Sequence, residues 1–329
     1  NKVKNIAIIG LGQVGIYLYN ELIVKKKEIE IKTGKKINVV AISAKNKNKK
    51  RRFKINKKIF YTNPLKIFKE NKIDILFECI GQSDGISKKI VEPALKKKIN
   101  VITPNKALIA KHGDSLANYI LSEMENCNET FDKVLHKAQK LGYAEPGNPK
   151  LDLNGFDAFA KIRILSALSF NIKISKAKCI MEGIQNIKLE DIKIASQLGL
   201  RVKLLGISQI INGKLFETVH PCLVSKNTYI GNVNGVMNAV ITEGKPVGES
   251  VLQGEGAGPG PTSSSLLSDL LSILRGNIKY PFGISSSKRV SIKGFNNDNY
   301  TNSLYLRFEV RDKQGVLSLI TNRLAKYKI

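Results

Sequence analysis

Asp157 and Lys161 stand four residues apart in DLNGFDAFAK (Asp152 to Lys161), at the head of an apolar helical pattern. Residues so spaced share one helix face, which brings a carboxylate beside an ammonium. Two kinds of chemistry fit such a pair. One is an ordinary helix ion pair worth roughly a few tenths of a kcal/mol, or a capping arrangement of Asp157 with Asn154. The other is the polar end of a hydride-transfer site, where an ammonium stabilises or protonates an oxygen that gains negative charge. The second reading draws on a distant segment, Gly10-Leu11-Gly12-Gln13-Val14-Gly15, whose GxGxxG spacing suits a dinucleotide. Its first glycine permits a tight turn and its second admits a pyrophosphate. The third lets helix and strand pack closely.

Both groups need elements to hold them. VKNIAIIG (3–10) is a β-branched apolar run, and helical periodicity follows from Ile16 to Lys25, so the glycines lie between a strand and a helix. Further strands are expected at 37–43 (INVVAIS), 74–80 (DILFECI) and 100–103 (NVIT), with a helix at 91–98. Alternating strands and helices predict a parallel sheet covered on both faces. From Asn118 the pattern changes to longer amphipathic helices at 131–141 and 156–170, then to a hairpin. That hairpin joins 202–211 to 214–220 through Asn212-Gly213, a pair suited to a type I′ turn.

A glycine-rich stretch, QGEGAGPGP (253–261), runs into a helix over 262–274 with Thr262 or Ser263 as N-cap. The glycines are either a linker or a set of backbone amides offered to an anion or a ring carboxamide. After Gly276 a polar linker leads to a strand at 304–310 (LYLRFEV) and a helix at 316–327.

The end of the second strand bears on cofactor choice. An acidic residue there would hydrogen-bond a ribose 2′-hydroxyl. The chain has Ser43-Ala44-Lys45, followed by Lys47, Lys49, Lys50, Arg51 and Arg52. A basic loop of this kind can hold a 2′-phosphate, which favours NADP while leaving NAD open; the alternative is a solvated charge run.

Composition sets the remaining bounds. With 329 residues the chain exceeds one hydrophobic core, so two or three domains are expected. Lys and Arg number 54 against 27 Asp and Glu, a formal charge of +27. The excess is Lys spread along the chain, with few Arg and no Trp, which disfavours a nucleic-acid partner. No membrane-length apolar run and no leader pattern is present, which reads as a cytoplasmic chain. Cys79, Cys127, Cys179 and Cys222 are scattered and read as free thiols, and His112, His136 and His220 show no zinc-ligand spacing, so no metal is expected. Neither end reads as a natural terminus, with Asn1 in place of Met and Ile329 closing a helical pattern.

Several segments together resemble the homoserine dehydrogenases. They are GLGQVG, ITPNKALIAKH (102–112), LGYAE (141–145), DLNGFDAFAK, VHPCL (219–223), NGVMNA (234–239) and GEGAGPGP (254–261), in that order. The final stretch, with RDKQGVL, resembles the opening strand and helix of an ACT domain.

The resemblance implies NAD(P)-dependent interconversion of aspartate semialdehyde and homoserine, a step toward threonine, methionine and isoleucine. By motif position it implies catalytic roles for Lys161, Asp157 and Lys106 and substrate binding by Glu145 and Asp152. Gly10, Gly12, Gln13, Val14, Gly15, Lys45, Asn105, Lys106 and Gly256 would serve the cofactor. It further implies a homodimer or higher oligomer and an amino-acid effector at the ACT-like part.

The expected architecture is α/β, with a Rossmann-type dinucleotide-binding domain (1–117 plus about 253–275). An α+β substrate and dimerisation domain (118–252) and a linker with a partial ACT-like tail (276–329) complete it. The chain departs from the family between Ala117 and Asn118. There a further strand, the E-A-x-V-A-G-G-I-P stretch and the N-G-T turn have no counterpart. A real deletion would expose a sheet edge and predicts an alternative function, a dimeric NADPH-binding remnant without a working substrate site.

Overall fold

The computed structural model describes residues 3–80, 85–104, 128–130, 132–134, 153–256, 258–277, 284, 287–296 and 300–327. Five strands form a parallel sheet: β1 (Lys4–Ile9), β2 (Ile37–Ser43), β3 (Phe60–Tyr61), β4 (Ile75–Glu78) and β5 (Asn100–Ile102). Their order is β3-β2-β1-β4-β5, so the chain reverses direction across the sheet between β1 and β4. Open α/β sheets bind ligands outside the carboxyl ends of the strands at such a switch point.

Alternation along β1 builds both faces. Ile6 and Ile8 enter one core with Leu18 and Leu22 of helix α1 (Gln13–Val24), while Ala7 and Ile9 enter the other. Helix α2 (Lys26–Thr33) adds Ile29 to the first core. The second core is closed by Ile67 of α3 (Pro64–Glu70) and by Ile90 and Ala94 of α4 (Ile86–Lys96). The first also takes in Leu266, Leu270 and Leu274, which come from far along the chain.

The second part is built on two antiparallel hairpins, with the short strand β6 parallel to β8. Helix α5 (Phe156–Ser169) and strand β6 (Ile180–Met181) lead to α6 (Leu189–Gln197). Then β7 (Leu200–Ile211) and β8 (Lys214–Ser225) pair along their whole length around Asn212-Gly213. Both turn residues have positive φ, as the type I′ geometry requires. A further hairpin, β9 (Met237–Gly244) and β10 (Gly248–Glu255), follows.

Helix α7 spans Pro259–Leu274 with Gly258 as N-cap, so neither Thr262 nor Ser263 caps it. Proline at the first helical position, with its fixed φ and missing N–H, starts the helix three residues earlier than expected. Gln253, Gly254 and Glu255, at the start of the glycine-rich stretch, are the last residues of β10.

Part of the expected linker is tied to the body. Ile172 bridges to Val290 and Leu215 to Gly294, and Phe295 meets Phe216 edge-on at 6.0 Å. A separate unit, 298–329, contains helix α8 (Val316–Lys326). No strand forms at 304–310: among the described residues no neighbour offers those N–H and C=O groups a ladder.

Asn105, Lys106, Glu145, Asp152, Cys127, His112, His136, most of the expected helix at 131–141 and the junction of Ala117 with Asn118 lie outside the described residues.

Candidate active site

The glycine turn sits at the switch point. Gly10 has φ +96°, and a Cβ there would stand 2.5 Å from the carbonyl carbon of Cys79, just beyond β4. A Cβ on Gly15 would lie 1.8 Å from the carbonyl oxygen of Gly10, so only glycine lets α1 start this close to its strand. Gly12 differs: among the described residues, a Cβ there would meet no atom within 4 Å. Nothing among the described residues requires the middle glycine, and its side is open, the feature that close approach of a pyrophosphate needs. Gln13 is the first residue of α1 and Gly12 its N-cap.

Helix α7 brings a second N-terminus to α1. Ser263 Oγ donates to the carbonyl of Val14 at 3.4 Å, and the Tyr17 hydroxyl would be 3.9 Å from a Cβ on Gly260. Val14 packs against the core shared with α7. Two helix starts carrying partial positive charge suit an anionic cofactor.

The loop after β2 is built, not loose. The Arg51 guanidinium donates to the carbonyls of Asn46 (2.7 Å), Lys47 (3.4 Å) and Lys49 (3.1 Å) and lies 5.5 Å from the Phe60 ring centroid. Held this way, Lys45, Lys47, Lys49 and Lys50 remain exposed. Arg51 is thus a staple, and the lysines are the groups available to a phosphate.

At the carboxyl end of β4, Glu78 is fully buried. Its Oε1 accepts from the Ile80 amide (2.8 Å) and the Ser87 hydroxyl (3.0 Å), and its Oε2 from the Thr103 hydroxyl (2.8 Å). Burial, and secondarily the Glu78 charge, push the neighbouring Cys79 thiol well up. Glu78 was not among the expected site residues. Its one sequence signal is a carboxylate closing the apolar run DILFE next to a glycine turn.

The expected Asp157 and Lys161 pair is present in α5, with Lys161 Nζ 2.7 Å from Asp157 Oδ2. The Asp157 side chain is 1% exposed and that of Lys161 24%, so this is not a surface ion pair. Nor does Asp157 cap the helix with Asn154: Gly155 is the N-cap, and Asn154 Oδ1 accepts from the Phe156 amide at 3.4 Å. Several contacts fix α5 on the hairpin sheet. Ser166 and Ser208 hydroxyls meet at 2.6 Å, and Arg163 Nε lies 3.2 Å from Glu217 Oε2. Arg163 also donates to the carbonyls of Ser175 and Ala177.

Lys161 opens onto a cavity of about 740 Å³ between α5, β7 and β9, lined also by Ser166, Lys203, Ser208, Asn238 and Gly256. Lys203, buried on β7, donates to the Val233 carbonyl. Lys161, expected to be catalytic, and Gly256, expected to serve the cofactor, line the same cavity. Two residues past Gly256, Gly258 caps the helix that packs on the glycine turn. No described contact joins Lys161 directly to Gly10–Gly15.

Two family models match this chain. Residues 10–126 match the NAD binding domain of homoserine dehydrogenase, and residues 114–271 match the homoserine dehydrogenase model itself. Homoserine dehydrogenase of Neisseria gonorrhoeae is 30% identical across 100% of this chain and 87% of that protein. The chain belongs to the homoserine dehydrogenase family. It is accordingly an α/β member of a family of NAD(P)-dependent oxidoreductases.

Homoserine dehydrogenase of Pseudomonas aeruginosa is 31% identical over 99% of this chain and 86% of that one. The crystal structure of the homoserine dehydrogenase from Thiobacillus denitrificans superposes with a TM-score of 0.78 at 30% identity, covering 99% of this chain and 86% of that one. A hyperthermophilic archaeal homoserine dehydrogenase mutant solved with NADPH shares the fold, with a TM-score of 0.63 at 21% identity over 82% and 97% of the two chains. The Neisseria alignment runs over 385 positions against 329 residues here, so that relative has at least 56 positions without a counterpart.

Proposed function

We propose that this homoserine dehydrogenase interconverts L-aspartate 4-semialdehyde and L-homoserine with NADPH as its preferred cofactor. The carrying observation is the Lys161 ammonium, held 2.7 Å from a buried Asp157 carboxylate at the wall of the 740 Å³ cavity. The residues fit a dinucleotide: open space at Gly12, two helix starts and a stapled basic loop. When bound, the nicotinamide supplies or accepts the hydride.

The chain's own residues do the rest. Lys161 stabilises negative charge on the substrate oxygen and exchanges its proton, and Asp157 holds that ammonium charged and in place. By motif position, Lys106 shares the electrostatic role, while Glu145 and Asp152 hold the substrate's α-ammonium. Exposed Lys45 and its neighbours favour a 2′-phosphate over a 2′-hydroxyl, and NADPH in the archaeal relative agrees.

Several wider assignments belong to the same reading. They are a threonine, methionine and isoleucine pathway role, a cytoplasmic setting, a homodimer or higher oligomer, and an amino-acid effector at an ACT-like 298–329. The division into 1–117 with 253–275, 118–252 and 276–329 is likewise proposed, with α7 in the nucleotide-binding part.

NADPH oxidation on addition of aspartate semialdehyde tests the function. Soluble protein that binds NADPH but does not turn over would overturn it. It would point to a cofactor-binding remnant, consistent with the relative's positions that have no counterpart here, at least 56 of them.

A further inference from the structure

Glu78 closes β4 at the point where the sheet order reverses, and three separate segments converge on its carboxylate. The Ile80 amide is the first residue but one past β4, Ser87 lies in the first turn of α4, and Thr103 directly follows β5. The Cys79–Ile80 peptide held by Oε1 is the surface on which Gly10 turns, since a Cβ on Gly10 would meet Cys79 C at 2.5 Å and Ile80 N at 2.8 Å. Thr103, held by Oε2, precedes Asn105 and Lys106 by two and three residues.

The side of the sheet matters. With the pyrophosphate at the β1 turn and the adenosine half over β2 and its basic loop, the other half of a dinucleotide has only the β4 and β5 ends to occupy. Among the described residues, one backbone N–H and two hydroxyls donate to this completely buried carboxylate. Burying a charge so thoroughly is costly, and a purely apolar side chain at a strand end would fill the space without that cost. What the carboxylate adds is direction: it ties the exits of two strands and the start of a helix to one point.

From this we infer that Glu78 is a positioning residue for the nicotinamide half of the cofactor, setting the β4 and β5 exits to the separation that half requires. The inference rests on the dinucleotide reading above. Because Glu78 itself is fully buried, it acts through the Cys79–Ile80 peptide and Thr103.

The test separates the two halves of the cofactor. Binding of NADPH and of adenosine 2′,5′-bisphosphate, which carries only the adenine half, is measured by titration calorimetry on wild type, Glu78→Ala, Glu78→Gln and Thr103→Val, with a thermal melt of each. Glu78→Ala and Thr103→Val should bind NADPH roughly ten-fold or more weakly while binding the bisphosphate within about two-fold of wild type. Glu78→Gln should recover most of the NADPH affinity, because the Ser87 and Thr103 hydroxyls can rotate to accept as well as donate.

Equal losses for both ligands, or a lower melting temperature with unchanged NADPH affinity, would reduce Glu78 to structural support and overturn the inference. If Glu78→Ala does not fold, the milder Thr103→Val decides by the same comparison. Wild type that fails to bind NADPH would remove the dinucleotide reading and this inference with it. Wild type that binds, with variants indistinguishable from it, removes only the inference.

Discussion

The carbonyl oxygen of Gly10 occupies the place where a Cβ of Gly15 would stand, 1.8 Å away, whereas a Cβ on Gly12 would meet no described atom within 4 Å. Three glycines in one motif thus answer to two different demands. Gly15→Ala should push α1 off β1 and lower stability by about 1–3 kcal/mol, in the range of overpacking a close contact. Gly12→Ala should cost little more than a changed N-cap, about 0.5–1 kcal/mol, yet weaken NADPH binding roughly ten-fold. Chemical denaturation and calorimetry on the two variants check the contrast.

Lys161→Met should lower kcat by roughly two to four orders of magnitude, as loss of a proton-transferring group does. It should also destabilise the fold by about 3 kcal/mol. That is the low end for breaking a buried pair, since Lys161 keeps partial contact with solvent. Adding Asp157→Leu in the same chain should restore part of the stability and none of the activity. A double-mutant cycle followed by both urea melts and turnover separates the two roles.

Reversing charge at Lys45 and Lys47 should lower kcat/KM for NADPH about ten-fold and leave NADH within about two-fold. Arg51→Ala should do the same indirectly, because its three carbonyl contacts hold the loop that presents those lysines. Steady-state kinetics with both cofactors at two salt concentrations would show it; equal losses for NADH would refute a 2′-phosphate contact.

Burial pushes the Cys222 thiol up to about 11. The thiolate is therefore scarce at neutral pH in the folded chain, and alkylation at pH 7.5 should be slow until denaturant is added. A folded pKa above the unfolded one means the thiol's contribution to stability is complete below about pH 8.5 and is lost as pH rises toward 11. Timed iodoacetamide labelling read by peptide mass, with and without urea, measures this.

The parallel sheet was legible because β1 and β2 are short apolar runs rich in β-branched residues, and β2 spans the expected 37–43. The hairpin was legible because Asn212-Gly213 specifies its own turn. The start of α7 was misplaced: serine and threonine look like caps, while Gly258-Pro259 reads as a loop until its packing on α1 is known. The strand at 304–310 did not form, since alternation describes a face and not a partner. At the site, Asp157 and Lys161 were visible by spacing, but their burial was not. Glu78 was missed altogether, because its meaning depends on Thr103, which lies 25 residues away.

The Ser263 to Val14 contact spans 249 residues of sequence. A ribosome adding about 5–20 residues per second would take roughly 12–50 seconds to pass from one partner to the other. Throughout that interval the apolar face of β1 and α1 stands without its final cover, so a core begun by β1 is closed only after the hairpin strands have been made. Nascent chains halted before Pro259 should be protease-sensitive across 3–80, and those extended past Leu274 should acquire protection there in a single step.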